Sequence, residues 1–149
     1  MTRSTIHIRP VTLDDLAAVI AIDERMTGDR RPEYWAKRLE LSTLRPPWMS
    51  LVAEADNRVV GFLFGWVSGW EFGIPGEAGW IDMIGVDPPY RGQRVGAALV
   101  QRFVEAAESL RGIKKVCTLV YPGQAGIPEF FSALGFQRGA MVQMEKRVG

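Results

Sequence analysis

The chain has 149 residues, 47% of them hydrophobic and 23% charged, with a formal net charge of +1. That size suits one domain, residues 1–149, with a real core, and the charge balance excludes a general attraction to nucleic acid or to a membrane surface. The single cysteine, Cys117, excludes an intramolecular disulfide, and a reducing, cytoplasmic setting is the expectation. The first residues lack an apolar leader, and no apolar run is long enough to span a bilayer.

Ile6-His7-Ile8-Arg9 alternates up to Pro10 and predicts a first strand. Thr12 is placed to cap a helix with Asp14 and Asp15 in its first turn, and Leu16, Val19, Ile20 and Asp23 recur at helical spacing behind it. Pro32 suits the start of a second helix carrying Tyr34, Trp35, Leu39 and Leu41, which Pro46-Pro47 closes. Ser50 to Glu54 and Arg58 to Val67 read as strands joined by an Asp56-Asn57 turn. Ser68 to Glu77 reads as a loop and Trp80 to Val86 as a strand. Val95, Leu99, Phe103, Ala106 and Leu110 form one face of a long helix that ends at Gly112. Lys115 to Val120 is β-branched; Ile127 to Leu134 predicts a short helix with Gly135 as its C-cap. Phe136 and Met141 to Lys146 predict two closing strands. The expected fold is α/β (α+β): a mixed, mostly antiparallel sheet of about seven strands with helices on both faces.

The most informative stretch is Val86-Asp87-Pro88-Pro89-Tyr90-Arg91-Gly92-Gln93-Arg94-Val95-Gly96-Ala97. A strand runs through a basic, glycine-containing turn into a helix. Such a junction aims backbone N–H groups and a helix N-terminus at one spot, which suits a phosphate or pyrophosphate. Neither a Walker loop nor the three-glycine dinucleotide fingerprint is present.

The stretch Arg91-Gly92-Gln93-Arg94-Val95-Gly96 resembles the phosphate-binding motif of the GNAT N-acetyltransferase superfamily: Arg or Gln, two residues, Gly, one residue, then Gly or Ala. Downstream, Phe130-Phe131-Ser132-Ala133-Leu134-Gly135-Phe136 resembles the family's Tyr-Glu-Lys-Leu-Gly-Phe signature. The element order fits the family across essentially the whole chain. The resemblance implies the acyl-CoA N-acyltransferase-like fold and acetyl-CoA as acyl donor. Gln93, Arg94, Val95, Gly96 and Ala97 would then cradle the pyrophosphate, with Arg91 and Gly92 in the same loop. Ile84, Gly85 and Val86 would line the pantetheine arm, Ile84 and Val86 offering backbone groups as to an added strand.

Three departures from the family stand out. Arg94 replaces the inner glycine of the motif, Phe131 replaces the tyrosine that usually protonates the leaving thiolate, and Gln124 replaces an asparagine before the short helix. Acetyl transfer to an amine needs a base, because an alkyl ammonium with a pKa near ~10 is a poor nucleophile. Asp82 is the candidate, as the one carboxylate within Trp80–Val86; period two puts it on a face with Ile84 and Val86. Its alternative role is to orient water or pair with an arginine. Glu54 and Glu77 are weaker candidates. Tyr121 is a candidate replacement acid, or else a packing tyrosine. Cys117 reads as an apolar strand residue, His7 as too isolated for a triad, and no His/Cys cluster has metal-ligand spacing, so no metal is expected.

Acceptor selectivity is expected in Met26 to Trp48, whose charges a solvated helix face explains equally well, and in Ser68 to Glu77; Trp66, Trp70, Phe72 and Trp80 offer an apolar floor, with core packing the favoured role for Trp66. The reading is acetyl transfer from acetyl-CoA to a primary amine by direct attack in a ternary complex. The acceptor is a small amine, a peptide N-terminus or a lysine, and a homodimer through exposed final strands is open to the chain. The alternative is an acyl-CoA-binding regulatory module with little or no turnover, to which Phe131 points.

Overall fold

Along β3 (Arg58–Ser68) the two faces differ: Phe62 and Phe64 point to one side, while Gly61 and Gly65 occupy the other. That alternation organises the molecule. The computed structural model describes residues 5–44, 49–69, 77–111 and 113–149. The residues fall into two units, up to Leu119 and from Val120 onward.

In the first unit, β1 (His7–Pro10), β2 (Leu51–Ala55), β3, β4 (Ala78–Val86) and β5 (Val116–Thr118) form one sheet in chain order. The first three pairings are antiparallel and β4–β5 is parallel. β2 and β3 are joined through Asp56 and Asn57, whose φ angles of 54° and 59° give the left-handed pair that a two-residue hairpin turn requires. A 3-10 turn at Leu13–Asp15, capped by Thr12, leads into α1 (Leu16–Thr27), and α2 (Pro32–Leu44) follows. Val19, Ile20 and Ile22 of α1, Trp35 and Leu39 of α2, and Val52, Phe62 and Phe64 of the sheet make the core of one face. Trp35 lies 5.2 Å from the rings of both Phe62 and Phe64.

The other face takes α3 (Val95–Arg111). Buried Val95, Leu99 and Phe103 recur every four residues along it. A Cβ on Gly61 would lie 2.9 Å from Val95 Cγ1, and one on Gly65 would lie 2.6 Å from Phe103 Cε2. The glycines of β3 therefore let α3 lie directly on the strand. Its N-terminus comes to the end of the sheet where β4 stops.

The second unit holds α4 (Ile127–Ala133). It ends in a Schellman motif: Phe136 N–H donates to Phe131 O at 3.0 Å, Gly135 N–H donates to Ser132 O at 3.0 Å, and Gly135 takes φ 92°. Phe131 and Phe136 supply the hydrophobic contact of that motif, with ring centroids 5.1 Å apart.

The mixed, mostly antiparallel sheet with helices on both faces is as expected, but the described residues hold five strands, not about seven. Residues 136–149 join no ladder. Alternation marks a strand only when one face is buried, and here Met141, Val142 and Met144 are all exposed. β5 is also three residues long, where Lys115 to Val120 was expected. Pro46, Pro47, Trp70, Phe72 and Gly112 lie outside the described residues. No helix among the described residues is long and apolar enough to cross a membrane.

Candidate functional site

β4 pairs with β3 along its whole length, but the register slips once. Phe64 opposes Met83 and Gly65 opposes Ile81, so Asp82 is an extra residue, a β-bulge. The bulge corrects the period-two expectation. Met83 and Gly85 return to the face of α1 and α2, Ile84 and Val86 to that of α3, and Asp82 does not share their face. Its carboxylate pairs with Arg38 of α2.

On its other side β4 pairs with β5 only from Gly79 to Ile81. The Thr118 hydroxyl caps this ladder, donating to Ile81 O at 2.9 Å. From Asp82 to Val86 the strand has β3 as its single ladder neighbour among the described residues. Backbone parity follows from the strand end, where Asp87 N–H donates to Val60 O at 2.8 Å. Residues 87, 85 and 83 thus turn their backbone groups to β3, and Ile84 and Val86 turn theirs to the open edge. Gly85 serves packing: a Cβ there would lie 2.6 Å from Phe62 Cζ and 2.9 Å from Met26 Sδ.

The strand end is anchored from below. Asp87 is fully buried and accepts two bonds from Arg25 of α1, at 2.7 and 2.9 Å, and one from Arg58 of β3 at 3.3 Å. That carboxylate raises the Arg25 guanidinium above its already high ordinary value. Asp87 O accepts Tyr90 N–H at 2.8 Å, closing the 3-10 turn Pro88–Tyr90. The Tyr90 hydroxyl donates to Asp56 at 2.9 Å. The Asp87–Arg25 pair escaped the sequence reading because its partner lies 62 residues away.

The turn delivers the chain into Arg91–Gly96. Gly92 (φ 80°) and Arg94 (φ 65°) are both left-handed, so Arg94 adopts the conformation of the glycine it replaces. That costs a side-chain-bearing residue about 1 kcal/mol. The first α3 bond runs from Ala98 N–H to Arg94 O, 3.0 Å. The N–H groups of Val95, Gly96 and Ala97 precede it and have no intrahelical acceptor. Arg91 and Arg94 are exposed beside them and Gln93 is half-buried. Main-chain donors, two guanidinium groups and an open strand edge therefore meet at one place, a donor set that fits the diphosphate and amide-bearing arm of an acyl-CoA.

The remaining candidates lie elsewhere. Tyr121, Gln124 and Phe131 belong to the second unit. Tyr121 is 79% exposed; Gln124 N–H donates to Tyr121 O at 3.1 Å within a turn. Phe131 is buried against Phe130 and Phe136. Glu54 is tied to Arg9. Cys117 is half-buried, and burial raises its thiol pKa, as for an inert strand cysteine. Among the described residues no group of acidic, His or Cys side chains is arranged to hold a metal ion.

Residues 16–136 match the model of the acetyltransferase (GNAT) family. An uncharacterized N-acetyltransferase of Methanocaldococcus jannaschii is 29% identical over 97% of this chain and 68% of its own length. An acetyltransferase of Pectobacterium atrosepticum is 27% identical over 95% of both. Among solved structures, aminoglycoside N-acetyltransferase AAC(6')-Iy in complex with CoA superposes with a TM-score of 0.83 at 16% identity, covering 98% of this chain and 97% of that one. Glucosamine-6-phosphate N-acetyltransferase from Arabidopsis thaliana gives 0.75 at 20% identity, over 97% and 99%. With a family match spanning the strand, the turn and both motifs, this chain belongs to the acetyltransferase (GNAT) family and is an N-acetyltransferase by class.

Proposed function

We propose that the chain transfers the acetyl group of acetyl-CoA to a primary amine by direct attack within a ternary complex. The observation that carries this reading is the open edge of β4, which leads through the Arg91–Gly96 turn into the start of α3. The N–H groups of Gln93 to Ala97 hold the pyrophosphate, with Arg91 and Arg94 balancing its charge. The outward backbone groups of Ile84 and Val86 pair with the pantetheine arm.

Acetyl-CoA supplies an activated thioester whose carbonyl gathers negative charge as the amine attacks. The Ile84 N–H at the open edge is the donor for that charge. Asp82 takes the amine proton, directly or through water. Phe131 has no hydroxyl and is occupied in the helix cap, so Tyr121 is the proposed donor to the departing thiolate. A thiol with a pKa near ~8.5 leaves well enough for this help to be modest. The proposed acceptor is a small amine rather than a protein. Structures sharing this fold include enzymes named for aminoglycosides and for a sugar amine, which supports that class.

Calorimetric titration with acetyl-CoA and with ADP, followed by thiol release across a panel of primary amines, tests the reading. Acetyl-CoA should bind and ADP should not match it, and at least one amine should release CoA. Gly96→Val should abolish binding while the fold is kept. Binding without release for every amine would instead identify a regulatory acyl-CoA-binding module, and no binding would remove the site altogether.

A further inference from the structure

The acceptor side carries a second residue that the family motifs do not contain. Arg38 projects from α2 onto the sheet and is four-fifths buried, with its guanidinium carbon 5.3 Å from the centre of the Phe64 ring. Its Nη1 pairs with Asp82 Oδ2, while its Nη2 is buried and has no hydrogen-bond partner among the described residues. Asp82 is therefore the one ionic anchor of this guanidinium among the described residues. Of the described ladder residues beside the bulge, β3 brings Phe64 and Gly65, and β5 ends at Thr118, whose hydroxyl is committed to Ile81 O.

A half-buried ion pair is seldom kept for stability, because desolvation offsets most of the attraction. It is well suited to fixing one geometry. A bulge residue has no ladder neighbour of its own to orient its side chain. Arg38 supplies that constraint from another element. It occupies Oδ2, and among the described residues Oδ1 has no hydrogen-bond or ionic partner, on a side chain about one-third exposed.

We propose that Arg38 is the positioning residue of the transfer reaction, holding Asp82 so that Oδ1 receives the proton of the incoming amine. This rests on the reading of Asp82 as the proton acceptor. A consequence follows for the acceptor. Beside a guanidinium, Asp82 offers a directed oxygen but little net charge, so the site orients an amine more than it attracts an ammonium. Removing the guanidinium uncovers the full carboxylate charge: a protonated amine binds as well or better, in a geometry less suited to transfer.

Arg38→Met keeps the apolar stem over Phe64 and removes the charge; Arg38→Lys keeps the charge. Thiol release is followed on the full chain with the amine from the panel that gives the highest rate. In Arg38→Met, kcat should fall roughly 10- to 100-fold, the scale of a misplaced reacting group. The KM for acetyl-CoA should be unchanged and the KM for the amine should hold or fall, and Arg38→Lys should recover most of the kcat. Should Arg38→Met not fold, Arg38→Gln reads the same split. A kcat within twofold of the unaltered protein, a loss that Arg38→Lys does not recover, or a rise in amine KM overturns the assignment. Full turnover in Asp82→Asn removes the base reading and the role of Arg38 with it. A slow Asp82→Asn beside a fast Arg38→Met removes Arg38 alone. Absence of release from every amine removes both.

Discussion

The two halves of β4 share one strand and one sequence style, yet they do different work. Ala78 to Ile81 is held between β3 and β5, with Gly79, Trp80 and Ile81 paired on both sides. Among the described residues, Asp82 to Val86 keeps only β3. The boundary between them is one extra residue, the Asp82 bulge, and one side chain, Thr118, that ends the β5 ladder. The first half is scaffold, and its residues are constrained by packing. The second is an unpaired edge with main-chain donors and acceptors turned outward, the property that natural sheets usually suppress. Here the edge ends at a helix N-terminus, which makes it a place for a ligand to bind.

This contrast makes changes in the open half act on catalysis and changes in the paired half act on stability. The largest effect is expected for Asp82→Asn. Turnover should drop roughly 10²- to 10⁴-fold, the usual scale for losing a general base, with acetyl-CoA affinity little changed and a small loss of stability, because the asparagine amide oxygen still accepts from Arg38 while its charge is gone. A loss of stability as large as that of Gly65→Ala would erase the distinction. Next comes Gly65→Ala against the paired half. Its Cβ would lie 2.6 Å from both Phe103 Cε2 and the Trp80 carbonyl oxygen. A backbone oxygen cannot rotate aside, so urea denaturation should show a loss of about 3 kcal/mol.

Asp15, far from either half, gives a control with a pH signature. Burial pushes its carboxyl up, but Arg9 at 2.7 and 2.8 Å and the Thr12 N–H at 2.8 Å outweigh this, leaving it below the ordinary carboxylate value. A lowered folded value means that its stabilisation is complete above the unfolded value near ~4 and is lost as pH falls through the folded one. Asp15→Asn should therefore cost about 2 kcal/mol at neutral pH and flatten the acid limb of the melting curve, with turnover per folded molecule unchanged. The smallest effect has opposite signs. Arg94→Gly relieves a left-handed arginine and should stabilise the fold by about 0.5–1 kcal/mol, while losing a guanidinium should weaken acetyl-CoA binding several-fold. Gains in both would remove Arg94 from the cradle.

The sequence carried most of what positions the site. Val95, Leu99 and Phe103 at helical spacing, and the Asp56-Asn57 turn, are local signals that packing later honours. The Arg91–Gly96 turn was legible for the same reason: conformation and ligand chemistry are written into adjacent residues. The bulge was not legible, because an extra residue is defined only against its partner strand. The Arg38–Asp82 and Arg25–Asp87 pairs were not legible either, since each joins elements far apart in the chain. Met141 to Lys146 shows the converse. Its alternation has the strand period, but without a buried face it reports nothing. Phe131 was visible as a departure, and the structure supplies its packing role in the cap of α4.

The central claim is that the outward backbone of Ile84 and Val86 is the edge that acetyl-CoA covers. Residue-resolved amide hydrogen exchange reads it directly. Without ligand, the N–H groups of Met83, Gly85 and Asp87 should exchange slowly and those of Ile84 and Val86 quickly. Saturating acetyl-CoA should slow Ile84 and Val86 selectively. If those two amides exchange at the same rate with and without bound acetyl-CoA, the open half of β4 is not the cofactor edge.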